Sequence, residues 1–263
     1  MKKTTIVIPA HNEEHRIGKT LEDYFNFFNN LKNEKKLDFE IIVVLNACND
    51  NTLKVVDKFK KNNELIILEF ESAGKGFAVV EGFKNALTRD NNLIGFIDAD
   101  GATPPHAFYE LIKNISDYDG IIANRWDEKS IVSPRQTLFR IIIGRFFNFT
   151  VRSLFLFPHR DTQCGAKLFT RQLIEKVHPN LGTSEWSFDV DLLFYARHFK
   201  FKIKSIPTEW HDKKGSKVNL KKTPGRMFFS VVRLRLIHSP LSFILRFHQK
   251  LPRKMQVGYW FGR

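Results

Sequence analysis

The first third of the chain alternates short, continuously apolar runs rich in β-branched residues with stretches of helical character, and few folds accept that alternation. The runs are TIVIPA, FEIIVVLNA, ELIILEF and LIGFIDAD, with helical segments from about Arg16 to Leu31, Thr52 to Lys61 and Gly76 to Leu87 between them. A strand that is apolar on both faces must be covered on both faces, and helices crossing between parallel strands provide that cover. The expected class is therefore α/β, a Rossmann-like, mostly parallel sheet with helices on both faces. Ligands of such sheets sit beyond the carboxyl ends of the strands. The residues that follow each run are then the candidates: Pro9, His11, Asn12 and Glu13; Asn46 and Asp50; Gly74, Lys75 and Gly76; Asp98 and Asp100.

Composition narrows the class of partner. With 43% hydrophobic and 27% charged residues over 263 positions, the chain has the make-up of an ordinary globular protein, which excludes fibrous and disordered readings. Lys and Arg number 42 against 28 Asp and Glu, and the net charge of +14 favours anionic partners: phosphorylated substrates, an anionic membrane surface or nucleic acid. No RNP motif, zinc finger or basic zipper is present, so nucleic acid is the distant alternative. Cys48 and Cys164 lie far apart without metal-ligand spacing.

The opening MKKTTIVIPAHNEE holds too short an apolar run for a signal-peptide core and reads as a mature start. LFRIIIGRFFNFTVRSLFLF is interrupted by Arg140, Arg145 and Arg152, so a peripheral rather than spanning relation to a membrane is expected. Arg135, Arg140 and Arg152 are expected to be solvated or to snorkel at a helix surface. No linker or repeat divides residues 1–220, which read as one domain. Residues 221–263 form a basic extension in which Phe228, Phe229, Val232, Leu236, Leu241, Ile244, Leu245 and Phe247 mix with Arg226, Arg233, Arg235, Arg246 and Lys250. That mixture suits two short amphipathic helices in an anionic lipid interface, or helices packed on the core.

The sharpest chemical feature is GFIDADGATPP, where Asp98 and Asp100 flank Ala99 as a strand opens into a loop. Two carboxylates at that spacing can share a hard divalent cation, Mg²⁺ or Mn²⁺, that keeps positions open for phosphate oxygens. An ordinary acidic turn is the alternative.

IVIPAHNEE, EIIVVLNACNDNT, AGKGFAVVEG, DADGATPP, RDTQCGAKLF, WSFDVDLLFYA and EWHDKKGSKV occur in the order and spacing of family 2 glycosyltransferases. The chain resembles that family from about Thr5 to Val218, with the dolichyl-phosphate (polyprenyl-phosphate) β-glucosyltransferases and mannosyl-phospholipid synthases as the nearest kinds. The resemblance implies the GT-A fold and an inverting, metal-dependent transfer of a hexose, glucose preferred, from a nucleotide sugar to a polyprenyl phosphate. It implies a metal on Asp100, with Asp98 and Ala99 by the ribose and diphosphate, and Pro9, His11, Asn12 and Glu13 around base and ribose. Lys75, between two glycines where a helix opens, is placed to meet phosphate, and Lys217 matches a position near the diphosphate. The family usually carries two aspartates where this chain has Leu45 and Asn46, so UDP is preferred over GDP only on the rest of the pocket. Asp50 is expected to cap the following helix.

On the acceptor side, Arg125 and Arg145 are the expected phosphate holders, since a guanidinium can bond two phosphate oxygens at once. A phosphate monoester is ionised near neutral pH and needs little general-base help. A sugar-hydroxyl acceptor would need one, with Asp161, Asp189 or Asp191 as candidates; Gln163 and Trp186 share their motifs, and Cys164 is expected to pack. The expected location is the cytoplasmic face of a membrane, reached by peripheral binding or through a membrane-anchoring partner.

Overall fold

The computed structural model describes residues 2–134, 138–182, 188–213, 223–237 and 239. Trp186, Lys217, Arg135 and the C-terminal segment from Pro240 onward lie outside the described residues, as do the side chains of Arg140, Arg226 and Phe229. The chain forms two compact units, residues 1–136 with 159–216 and residues 137–158 with 217–263.

In the first unit the apolar runs become β1 (Lys3–Ala10), β2 (Asp38–Asn46), β3 (Leu65–Phe70) and β4 (Leu93–Phe96), connected by α1 (Ile17–Asn33), α2 (Thr52–Asp57) and α3 (Lys75–Leu87). There follow α4 (Pro105–Lys113), β5 (Gly120–Asn124), β6 (Ile131–Ser133), β7 (Lys167–Thr170), α6 (Arg171–Val177), α7 (Phe188–His198), β8 (Ile203–Pro207) and β9 (Glu209–His211). The main sheet runs β3-β2-β1-β4-β7-β5-β8; every pairing is parallel except those of β7, which lies antiparallel between β4 and β5. Strands β6 and β9 pair in parallel beside it.

Alternation along β1 divides the core. Ile6 and Ile8 join α1 and α4 in one cluster that contains Leu21, Tyr24, Phe28, Phe39 and Phe108. Val7 faces the other way, and α3 approaches it through Gly82, where a side chain would strike the Val7 methyls. Phe83, Phe96 and Phe188 meet edge-on or tilted on that face at centroid distances of 5.9–6.3 Å. The α2 segment ends earlier than the expected Lys61, because Lys58, Phe59 and Lys60 donate to carbonyls three residues back and tighten into turns.

In the second unit α5 (Leu138–Phe155) packs on α8 (Thr223–Ile237). Helix α5 buries Phe147, Val151 and Phe155 and exposes Ile142, Arg145, Phe146 and Phe149 on its other face. Among the described residues no helix is long and apolar enough to cross a membrane.

Candidate active site

Strand β4 ends at Phe96, and the strand-like alternation that follows turns Asp98 and Asp100 outward while Ala99 stays buried. The Ala99 carbonyl accepts a hydrogen bond from Thr20 Oγ1 at 2.8 Å, which fixes the loop to α1. Gly101 takes φ +68°, and Asp100 Oδ1 accepts the Ala102 N–H at 3.0 Å across that turn. Asp98 Oδ1 meets Lys75 Nζ at 2.5 Å. Burial pushes the Asp98 pKa up, but Lys75 and then Lys167 and Arg125 outweigh it and hold the group below its usual range. Asp100 moves the other way, raised by burial and then by the charge of Asp98. Two hard oxygen donors that repel each other at the mouth of a sheet fit a divalent cation, which would relieve the repulsion. Among the described residues no group of three or more His, Cys, Asp or Glu stands together.

Behind this pair lies a row of buried ion pairs. Lys167, fully buried on β7, donates to the Cys164 carbonyl at 2.6 Å and to Asp189 Oδ1 at 2.5 Å, with its ammonium 5.3 Å from the Phe96 ring centre. Arg125 grips buried Asp161 with Nε–Oδ2 2.8 Å and Nη2–Oδ1 2.9 Å, while its backbone N–H adds a third bond at 3.0 Å. Trp210 lies 5.3 Å below that guanidinium. The expected phosphate-binding fork of Arg125 is thus occupied by Asp161. Cys164 is buried, and desolvation pushes its thiol up to about 11, so it packs and does not react.

The ends of β1 and β2 are stitched into one surface. The Asn46 side chain, with its amide turned to suit its neighbours, donates to the Ala10 carbonyl at 2.7 Å and accepts from Gly74 N at 3.1 Å. One bond joins the ends of β1 and β2 and the other ties β2 to the start of α3, so this buried amide braces the pocket floor; Leu45 beside it is core. His11 Nδ1 lies 2.7 Å from the Asn46 carbonyl, which requires the ring proton on Nδ1. Asn12, at φ +55°, accepts the Asn49 N–H at 2.7 Å. Glu13 receives both Arg16 Nε and Nη2 at 2.6 Å, and its own N–H reaches Thr52 Oγ1. Pro9 is buried within β1. The cap position of α2 is taken by Asn51, whose side chain makes no capping bond; Asp50, one residue earlier and expected as the cap, accepts the Thr52 N–H and the Glu14 N–H instead.

Of the sequence-derived residues, Arg145 belongs to α5 of the second unit, Lys217 and Trp186 lie outside the described residues, and Asp191 turns toward Gly182; the others lie in the first unit. Three residues of the site were not singled out. Arg16 places its charge on Asp100 and Asp98, Lys167 pairs with Asp189, and Gly165 faces Asp98. A lysine inside an otherwise apolar strand, KLF, was the available signal for Lys167.

Comparison with known proteins decides the family. The model of "Glycosyl transferase family 2" matches residues 5–177. The chain belongs to this family. Curated relatives of this glycosyltransferase include the dolichyl-phosphate beta-glucosyltransferases of Dictyostelium discoideum, 30% identical over 88% of the chain and 73% of the relative, and of Saccharomyces cerevisiae, 33% identical over 89% and 74%. The Drosophila melanogaster enzyme of the same name is 33% identical over 81% and 68%. Among solved structures, glucosyl-3-phosphoglycerate synthase of Mycobacterium tuberculosis, in complex with Mn²⁺, UDP and phosphoglyceric acid, aligns with TM-score 0.63 at 15% identity over 90% of this chain and 78% of that one. A mannosyltransferase of Pyrobaculum calidifontis, in complex with GDP-mannose and Mn²⁺, aligns with TM-score 0.61 at 15% identity, over 90% and 64%. These likenesses show the fold, which is GT-A as the motifs imply.

Proposed function

We propose that this glycosyltransferase moves glucose from a nucleoside diphosphate sugar, UDP-glucose preferred, to dolichyl or a related polyprenyl phosphate. The observation that carries the reading is the Asp98–Asp100 pair at the carboxyl end of β4, flanked by Lys75 at the start of α3, in a chain whose relatives are named for that reaction. An acceptor phosphate oxygen attacks C1 of the sugar, the bond from C1 to the donor's diphosphate breaks, and the nucleoside diphosphate leaves. Because nucleotide glucose is α-linked, a β-linked product means a single displacement with inversion.

A divalent cation, Mg²⁺ or Mn²⁺, held by Asp98 and Asp100, would supply Lewis-acid charge to the departing diphosphate. Lys75 at the amino end of α3 adds a second positive charge where the leaving group develops negative charge. His11, Asn12 and Glu13 shape the nucleoside end of the pocket on a floor braced by Asn46. No general base is required, since the acceptor phosphate is already ionised. The neighbourhood agrees: Asp189 is committed to Lys167 and Asp161 to Arg125. The exposed Ile142, Phe146 and Phe149, with Arg145 on the same helix face, suit the lipid-water boundary where such an acceptor resides. A cytoplasmic membrane face and a membrane-anchoring partner belong to the same proposal.

The test is transfer of radiolabelled sugar from UDP-glucose, UDP-N-acetylglucosamine and GDP-mannose to polyprenyl phosphate in liposomes, with Mg²⁺, Mn²⁺ or chelator, and with Asp100→Asn alongside. A cation-dependent, solvent-extractable glucolipid that Asp100→Asn abolishes is expected. Donor hydrolysis without lipid product would direct the search to a sugar hydroxyl, for which Asp189→Asn should then be severe. No turnover of any donor would sink the proposal.

A further inference from the structure

We propose that Lys75 is the resident counter-ion of the cation site, and that it makes divalent-cation binding conditional on the nucleotide diphosphate. This rests on the reading that Asp98 and Asp100 hold that cation.

The geometry sets Lys75 apart from the other cations nearby. Arg16 is held by both oxygens of Glu13, and Lys167 by Asp189 and the Cys164 carbonyl. Lys75 instead has one of the two aspartates as its partner, at 2.5 Å. Its side chain is 34% exposed and that of Asp98 37%, so the pair sits at the open mouth and not in the buried row behind.

The backbone beneath Lys75 is fixed, while its ammonium, on Asp98 and 5.8 Å from the Phe96 ring centre, ends a stem of rotatable bonds. Gly74 adopts φ +125° and ψ +127°, a conformation suited to glycine, and its N–H is bonded to the Asn46 side chain. From that anchored point a four-carbon stem can carry the ammonium from Asp98 to an anion arriving at the amino end of α3.

Two binding sequences then differ in cost. A cation arriving alone must take Asp98 from the ammonium and leave that ammonium, unpaired, beside a dication. A cation arriving with a diphosphate gives the ammonium a new anionic partner, so the exchange balances. The cation and the nucleotide therefore strengthen each other's binding, by the same factor in both directions. Lys75 in this account suppresses idle loading of the site and releases it when donor is present.

The experiment measures Mn²⁺ binding to the full chain by the electron paramagnetic resonance of free Mn²⁺, with and without UDP. It compares wild type, Lys75→Met, Lys75→Gln, Lys75→Arg and Asp100→Asn. Wild type should bind Mn²⁺ weakly alone and at least about tenfold more tightly with UDP. Lys75→Met and Lys75→Gln should bind Mn²⁺ alone at least about tenfold more tightly than wild type, since a repelling charge is gone, and UDP should strengthen their Mn²⁺ binding by a smaller factor than it does in wild type. Lys75→Arg keeps the charge and should resemble wild type. Equal Mn²⁺ affinity of wild type and both neutral variants in the absence of UDP overturns the inference while leaving the cation reading intact. Failure of wild type to bind Mn²⁺ even with UDP overturns both.

Discussion

The Cα of Gly165 faces the carboxylate of Asp98 so closely that a methyl group added there would overlap both Oδ2 and Cγ. The glycine of DTQCG thus borders the proposed cation site, although it carries no functional group. Asp98 is partly exposed and can swing away from an added methyl, so Gly165→Ala should lower stability by only about 1–3 kcal/mol, as overpacked sites do. Catalysis should suffer more, because a displacement of about 1 Å at reacting groups costs on the order of 10²-fold. Transfer assays beside thermal melts check this, and wild-type turnover in a folded Gly165→Ala protein would contradict it.

Arg125 and Asp161 form a doubly bonded pair around a carboxylate with no exposed surface. Removing one partner strands the other, so Asp161→Leu alone should cost about 3–5 kcal/mol. Exchanging both partners, as Arg125→Met with Asp161→Leu, should cost less than the sum of the single changes. Urea unfolding of the four proteins gives the coupling directly. Additive losses would mean that the fork contributes nothing beyond its two side chains.

The order of β1 to β4 and their helices was legible because β1, β2 and β4 are buried on both faces and so appear as unbroken apolar runs, and the half-buried edge strand β3 keeps the same apolar character. The aspartates after β4 were legible for the same reason, since a charge that ends such a run marks the sheet's mouth. The antiparallel β7 was not: KLFT is four residues long and begins with a lysine, and only its place between β4 and β5 buries it. The Lys167–Asp189 pair spans 22 positions, so local pattern could not join the two. Asn46 was expected at the nucleotide, whereas the structure spends its amide on Ala10 and Gly74, a role that depends on how closely two strand ends approach.

Helix α5 leaves Phe146 and Phe149 each 66% exposed, one turn apart, with Arg145 beside them. Burying a phenylalanine in an apolar phase is worth about 1.5–3 kcal/mol. Phe146→Ser with Phe149→Ser should therefore weaken binding to vesicles containing anionic lipid by at least about tenfold, and leave the melting temperature close to wild type. Vesicle flotation at low and high salt measures it. Unchanged flotation would remove this face from the membrane-contact proposal.

Asp191 follows Asp189 by two positions, about 200° around α7, so it faces away from Lys167 and toward Gly182. Its Oδ2 accepts the Gly182 N–H at 3.3 Å, and its Oδ1 is buried without a hydrogen-bond partner among the described residues. Burial pushes its pKa up to about 6, and its charge adds to the burial that raises Tyr195 one turn along. An aspartate in an unfolded chain titrates near 4, so the native state holds the proton more tightly. The resulting stability is fully present below about pH 4 and is lost as pH rises through about 6, a change on the order of 3 kcal/mol. Asp191→Asn keeps the neutral form at every pH. It should therefore unfold at higher urea than wild type at pH 8, with the difference shrinking toward pH 4, and should retain transfer to polyprenyl phosphate. A stable Asp191→Asn protein that has lost transfer would instead make this carboxylate a base for a hydroxyl acceptor, because a group titrating near 6 is well matched to that work.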